Sequence, residues 1–181
     1  MKNKLRKLTL SAVLLSIGFV LPMLTMQIKE IGDTLLPMHI PVMLCGLICG
    51  WQYGAVVGFI LPFLRSFVFS MPPIYPNAIW MALELLTYGM VIGFVYSKFE
   101  KKGVGAVYFS LIIAMLSGRV VWGIAKSLLL GIGTNGFTFK AFLIGGFIDS
   151  LLGIILQLII IPLLTVVIFK INRREENARV I

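Results

Sequence analysis

The sequence predicts an all-α integral membrane protein with six transmembrane helices and both termini cytoplasmic. Three observations lead there. Of 181 residues, 59% are hydrophobic and 13% charged, whereas soluble domains carry about a quarter charged residues. The mean hydropathy is +1.02. Lysine and arginine gather at alternate ends of the apolar runs. Nearly every residue lies in or beside such a run, so residues 1–181 read as a single transmembrane domain without a separate soluble part.

The first helix is expected at about Leu8–Met26. Its basic start imitates a signal peptide, but no small-x-small cleavage site follows before "QIKEIGD", so it reads as a retained span. The second, about Leu35–Gly50, is shorter than the ~20 residues of a full crossing and needs shielding by neighbours. The third, about Tyr53–Met71, ends at "SMPPIYP", where three prolines remove backbone donors. The fourth is expected at about Asn77–Ser97, the fifth at Gly105–Leu130 and the sixth at Lys140–Ile171, separated by the loops "KFEKKG" and "GIGTNGFTFK". Gly46, Gly50, Gly54 and Gly58 recur at every fourth position, the small-residue spacing that brings helices close together.

Orientation follows from the loop charges. Lys2, Lys4, Arg6 and Lys7 precede helix one, Lys98, Lys101 and Lys102 join helices four and five, and Lys170, Arg173, Arg174 and Arg179 follow helix six. The opposite side has Lys29 and Lys140. Positive charge marks the cytoplasmic side. This placement accounts for most of the net +9 without any nucleic-acid partner.

Six ionisable side chains fall within the spans: His39, Arg65, Glu84, Arg119, Lys126 and Asp149. Such groups face a protein interior or a wet cavity. Helix directions place them in the outer half or near mid-depth, as in an outward-facing pocket. Arg119 and Lys126 share a face of helix five, and Trp80 and Tyr88 flank Glu84 at four-residue spacing on helix four, with Asn77 nearby. An aromatic–acid–aromatic stripe can stack on a heteroaromatic ring and hydrogen-bond to it. The structural alternative is salt bridges, such as Arg65–Glu84 or Arg119–Asp149, that only fasten helices.

Enzyme signatures are missing. One histidine excludes HExxH, and there is no nucleophile elbow or phosphate-cradling glycine loop with lysine. Cys45 and Cys49 lie within an apolar helix and are too few for a metal site, so neither metal nor cofactor is expected.

The stretch "LLPMHIPVMLCGLICGWQYGAVVGFILPFLRSFVFSMPPIYPNAIWMALELLTYG", Leu35–Gly89, carries a short apolar helix two, the turn "CGWQYGAVVG" and a third helix that leads into a lid-like loop. In this it resembles the S component of an energy-coupling factor (ECF) vitamin transporter, and the likeness extends over the whole chain. The resemblance implies a subunit in the cell membrane that captures a vitamin or precursor from outside. It would dock on a membrane T component driven by two cytoplasmic ATPases, with no ATPase site of its own. Family members contact the T component through small residues on helix one; the nearest match here is Ala12-Val-Leu-Leu-Ser16, with serine in place of a second alanine. The family's ligand-covering loops correspond to Gln27–Leu36 and Ser70–Pro76, where Met71 and Tyr75 offer an apolar and aromatic cover. Arg65 and Glu84 would then be two walls of one pocket. The expected ligand is vitamin B6 or the hydroxymethylpyrimidine precursor of thiamine. Pantothenate is the second candidate, and a non-transport membrane protein with helix-fastening charges is the alternative from another class.

Overall fold

The computed structural model describes residues 2–25, 34–101, 103–131 and 137–178, and side chains within 4–23, 34–101, 103–131 and 137–170. Lys29, Lys102, Arg179, the side chains of Arg173 and Arg174, and most of the expected cover Gln27–Leu36 lie outside these limits. The regular elements are helices: α1 (Lys2–Val20), α2 (His39–Cys49), α3 (Trp51–Phe69), α4 (Ile79–Ser97), α5 (Val104–Leu130), α6 (Phe139–Leu143) and α7 (Leu151–Ala178).

Five segments among the described residues are long and apolar enough to cross a bilayer: Lys4–Met23, Trp51–Phe69, Ile74–Ser97, Val104–Leu130 and Leu151–Lys170. The expected second crossing, Leu35–Gly50, falls on α2. Its 11 residues extend only about 16 Å at 1.5 Å per residue, against a hydrocarbon core of ~30 Å. Every residue of α2 except Ile48 is buried, so its neighbours shield this short apolar helix from lipid.

Contacts between helices fix their directions. Ser11 of α1 meets Cys45, and Gly18 meets Pro41, so α1 and α2 are antiparallel. His39 lies beside Glu84 and Gly46 beside Gly89, so α2 and α4 run the same way. Gly54 and Gly58 of α3 approach Gly89 and Leu85 in reverse order. Trp80, Glu84 and Tyr88 of α4 meet Lys126, Arg119 and Gly118 of α5, again in reverse order. Ser150 lies beside Arg119, and Tyr96 stacks on Phe169, which aligns α7 with α4. Thus α1, α3 and α5 run one way and α2, α4 and α7 the other.

Three of the four spaced glycines, Gly46, Gly54 and Gly58, have the expected packing role, whereas Gly50 turns the chain between α2 and α3 at φ 107° with open space around it. A Cβ on Gly54 would stand 2.6 Å from the Gly89 carbonyl oxygen, and one on Gly93 would stand 2.5 Å from that of Gly46. Side chains on Gly46, Gly58 or Gly89 would likewise meet backbone of a neighbouring helix. α2, α3 and α4 therefore touch main chain to main chain. Lipid tails are as apolar as leucine, so close van der Waals contact, not apolar burial, holds helices together in a membrane.

Two expectations are corrected. The sixth predicted helix, Lys140–Ile171, is not continuous: α6 passes into a wide π-type turn, Ile144–Ile148, before α7 begins. The Asp149 N–H donates to the Ile144 carbonyl at 2.9 Å, spanning five residues where an α-helix spans four. The extra residue shifts the helical face, a known effect of such turns. Asp149 is consequently exposed, and Ser150 is the buried residue. The expected inward position of Asp149 does not occur, and neither does the alternative Arg119–Asp149 bridge.

Candidate ligand-binding site

Glu84 lies one and a half turns into α4, in the half of the bundle bounded by the loop Ser70–Pro76. Two side chains hydrogen-bond to it, and His39 lies beside it. Arg119 Nη1 donates to Glu84 Oε1 at 2.9 Å, and the Tyr88 hydroxyl donates to the same oxygen at 3.1 Å. Arg119 Nη2 donates to Ser150 Oγ at 2.8 Å, and the Ser150 hydroxyl donates to the Gly146 carbonyl at 2.9 Å. His39 Nε2 lies 3.7 Å from Glu84 Oε1, beyond hydrogen-bond distance. The centre thus joins α2, α4, α5 and the start of α7.

The local sequence explains these positions. Four-residue spacing puts Glu84 and Tyr88 on one face of α4. Gly118 admits the Tyr88 ring, since a Cβ there would stand 2.7 Å from it. His39 is the first residue of α2 and meets Tyr88 edge-on at 5.1 Å. Exposure is 1% for His39, 3% for Glu84, 2% for Tyr88, 4% for Arg119 and 1% for Ser150. Yet neither ring nitrogen of His39 has a hydrogen-bond partner among the described residues. Buried polar atoms without partners are rare and destabilising, and each asks for an explanation.

One tier further toward the loops, Lys126 faces Trp80 as the shared faces of α4 and α5 require. Its ammonium lies 5.1 Å from the Trp80 ring centroid, 4.6 Å from Trp122 and 5.3 Å from Phe137. Asn77 is half-buried at the entry to α4. Tyr75 is exposed and its hydroxyl donates to the Leu129 carbonyl at 3.4 Å, so the loop before α4 reaches the end of α5. Met71 is also exposed. The Ser66 hydroxyl donates to the Pro72 carbonyl at 2.5 Å and ties this loop to α3.

Arg65 is placed elsewhere. It is buried, but its Nη1 donates to the Phe19 carbonyl at 2.6 Å and its guanidinium lies 5.3 Å from the Phe69 ring. It fastens the end of α1 to α3, while Glu84 pairs with Arg119. The Arg65–Glu84 bridge, one of the helix-fastening alternatives, does not form: Glu84 pairs with Arg119. The four-residue periodicity could not choose between two arginines on different helices.

Sequence reasoning missed Ser150, Trp122 and Phe137. Trp122 carried a signal, lying three residues after Arg119 and four before Lys126 on the face already marked by charge. Ser150 carried a weaker one in Gly145-Gly146, where the wide turn forms. Phe137 depends on a loop closing, its N–H donating to the Gly131 carbonyl at 2.9 Å.

On α1, Ala12 and Ser16 are exposed and line a shallow groove with Thr9, Val13 and Ile17. The Ser16 hydroxyl donates to the Ala12 carbonyl at 2.9 Å, which satisfies it within its own helix. This strip is not packed against another described helix of the chain.

No groups of three or more histidine, cysteine or acidic side chains suited to a metal occur among the described residues. Searches of curated proteins and of solved structures returned no match. A family model described as "ECF transporter, substrate-specific component" matches residues 6–165. That match reaches from the first membrane-spanning helix into the last and sets aside the reading as a non-transport protein. The chain belongs to the family of substrate-specific components of ECF transporters: it is a multi-pass membrane subunit that binds a transport substrate, not an enzyme.

Proposed function

We propose that this S component captures a small, flat nitrogen heterocycle of the vitamin B6 or hydroxymethylpyrimidine type at the His39–Glu84–Arg119 centre. The observation that carries the reading is His39: a buried ring with two nitrogens lacking partners, beside a carboxylate, a phenol and a guanidinium. Hydroxyl groups and ring nitrogens of such a ligand would meet donors and acceptors there. Trp80 and Trp122 supply apolar walls one tier away. Asn77, Tyr75 and Met71 would border the entry, with Tyr75 and Met71 folding over the ligand. Arg65 and Asp149, placed apart from the centre, have no direct part in this reading.

A second reading, pantothenate, is favoured by one feature: Arg119 and Lys126 are two cations on the same face of α5, suited to a carboxylate.

Uptake would follow the family scheme, with the ligand passed inward through a membrane T component driven by two cytoplasmic ATPases. Ala12 and Ser16 are the proposed contact, because close helix approach needs small residues and theirs are exposed. Both termini are proposed to be cytoplasmic, with α2 counted as a short sixth crossing. The alternating helix directions support termini at one end, and the basic residues Lys4, Arg6, Lys7, Lys98 and Lys101 support that end being inside.

Thermal-shift titration of the purified chain with pyridoxine, hydroxymethylpyrimidine and pantothenate tests this. A ligand of the native state raises the melting temperature by mass action, by about 2.7 kcal/mol of stability at a hundredfold excess over Kd. A shift with a heterocycle that vanishes in His39→Ala supports the first reading. A shift with pantothenate alone supports the second, and no shift with any of the three rejects both.

A further inference from the structure

The surroundings of Lys126 specify more than a charge. Its ammonium lies within 5.3 Å of three ring centroids, those of Trp80, Trp122 and Phe137. These rings come from α4, from α5 and from the segment before α6. A cation within ~6 Å of an aromatic face is attracted to it, and several faces around one cation form the kind of cage that recognises ammonium ligands. A snorkelling lysine instead sends its ammonium toward water; here the side chain is half-buried among rings.

The cage has its own supports. Trp122 is 8% and Phe137 7% exposed. Phe137 meets Trp122 edge-on at 5.5 Å, and Phe142 braces both at 6.1 and 6.5 Å. Glycines make room for these rings: a Cβ on Gly123 would stand 2.6 Å from the Phe142 ring, and one on Gly145 would stand 3.2 Å from the Trp122 ring. Arg119, two turns earlier on α5, connects the cage to Glu84.

We propose that Lys126 is a tethered cation filling this cage, so that the site admits neutral or anionic ligands and turns away cationic ones. The inference rests on the reading of the Glu84 centre as the ligand site. An incoming ammonium or thiazolium would find the ring faces occupied and meet a like charge, a repulsive element of the kind specificity often requires. The filled cage would thereby separate a neutral pyrimidine from thiamine, which carries the same pyrimidine joined to a cationic thiazolium.

The test uses the full chain in detergent with Trp51→Phe, which leaves Trp80 and Trp122 as the fluorescent groups. Tetramethylammonium chloride is titrated against matched sodium chloride. With Lys126 present, no saturable change in tryptophan fluorescence is expected. Lys126→Ala and Lys126→Ser should each show saturable quenching, with half-saturation at least about tenfold lower than any response of the parent, and Trp80→Leu added to either should abolish it. Saturable quenching of equal affinity in the parent overturns the proposal. So does its absence from either lysine variant that keeps the parent's far-UV circular dichroism. The probe contains no vitamin, so this result stands apart from the thermal-shift test of the Glu84 centre.

Discussion

α4 meets α3 and the body of α2 through glycines, and α5 through a buried ion pair beside which His39, at the start of α2, also lies. On the first side, Gly46, Gly54, Gly58, Gly89 and Gly93 bring main chains into contact and leave no room for anything else. On the second, Glu84, Arg119, Ser150 and His39 bridge the helices with side chains, and His39 keeps two unmet hydrogen-bonding atoms. The difference teaches where a ligand can enter. A backbone seam has one arrangement, whereas a side-chain junction can exchange some of its internal contacts for contacts with a guest. Charged groups are expensive in a membrane and mark functional interiors.

The comparison can be broken most forcefully at the seam. Gly89→Leu should have the largest effect, because its side chain would collide with main chain of α3 that has nowhere to move. Overpacking costs about 1–3 kcal/mol where side chains can give way and more where they cannot; here the clash is with main chain, so the helices should fail to dock and monodisperse protein should be lost in size-exclusion chromatography. Recovery of a normally stable Gly89→Leu protein would show that the helices are not locked there.

Next comes Arg119→Met, which strands the Glu84 carboxylate. Breaking a buried pair by removing one partner destabilises by about 3–5 kcal/mol, while replacing both partners with apolar residues is often neutral. The Arg119→Met/Glu84→Leu double variant should therefore melt close to the parent yet fail to bind ligand. A double variant that still binds would reduce the pair to a helix fastener.

His39→Phe sharpens the contrast further. Its ring makes no hydrogen bond to lose, so the thermal midpoint without ligand should hold or rise. Affinity should fall roughly tenfold to a hundredfold, as expected when about 1–3 kcal/mol of hydrogen bonding is removed. A fall in stability without change in affinity would assign His39 to packing. The smallest effect belongs to Asp149→Asn: the side chain is exposed, so stability should stay within about 0.5 kcal/mol and binding should not change.

Much of this architecture was legible because bilayers impose simple rules. Apolar length gave the long helices, and four-residue spacing gave both the glycine seam and the Trp80–Glu84–Tyr88 face. The same periodicity put Arg119 and Lys126 on one face of α5, and the packing turns that face toward α4. What periodicity could not give was the partner across a gap. The helix-fastening alternative takes Arg65 for Glu84 and Asp149 for Arg119; the packing of α5 against α4 pairs Arg119 with Glu84 instead. Nor could it foresee the wide turn at Ile144–Ile148, whose one extra residue sends Asp149 outward and Ser150 inward. Trp122 could have been read from its place between Arg119 and Lys126; Phe137 depends on a loop returning to the bundle.

The most direct test of the buried centre as a ligand site is native mass spectrometry of the gently purified chain beside its His39→Phe and Arg119→Met/Glu84→Leu variants. The account predicts a small heterocycle bound to the parent and absent from both variants, which remain folded. A parent that carries no small molecule after growth with each candidate vitamin, or variants that retain the same bound mass, would contradict it.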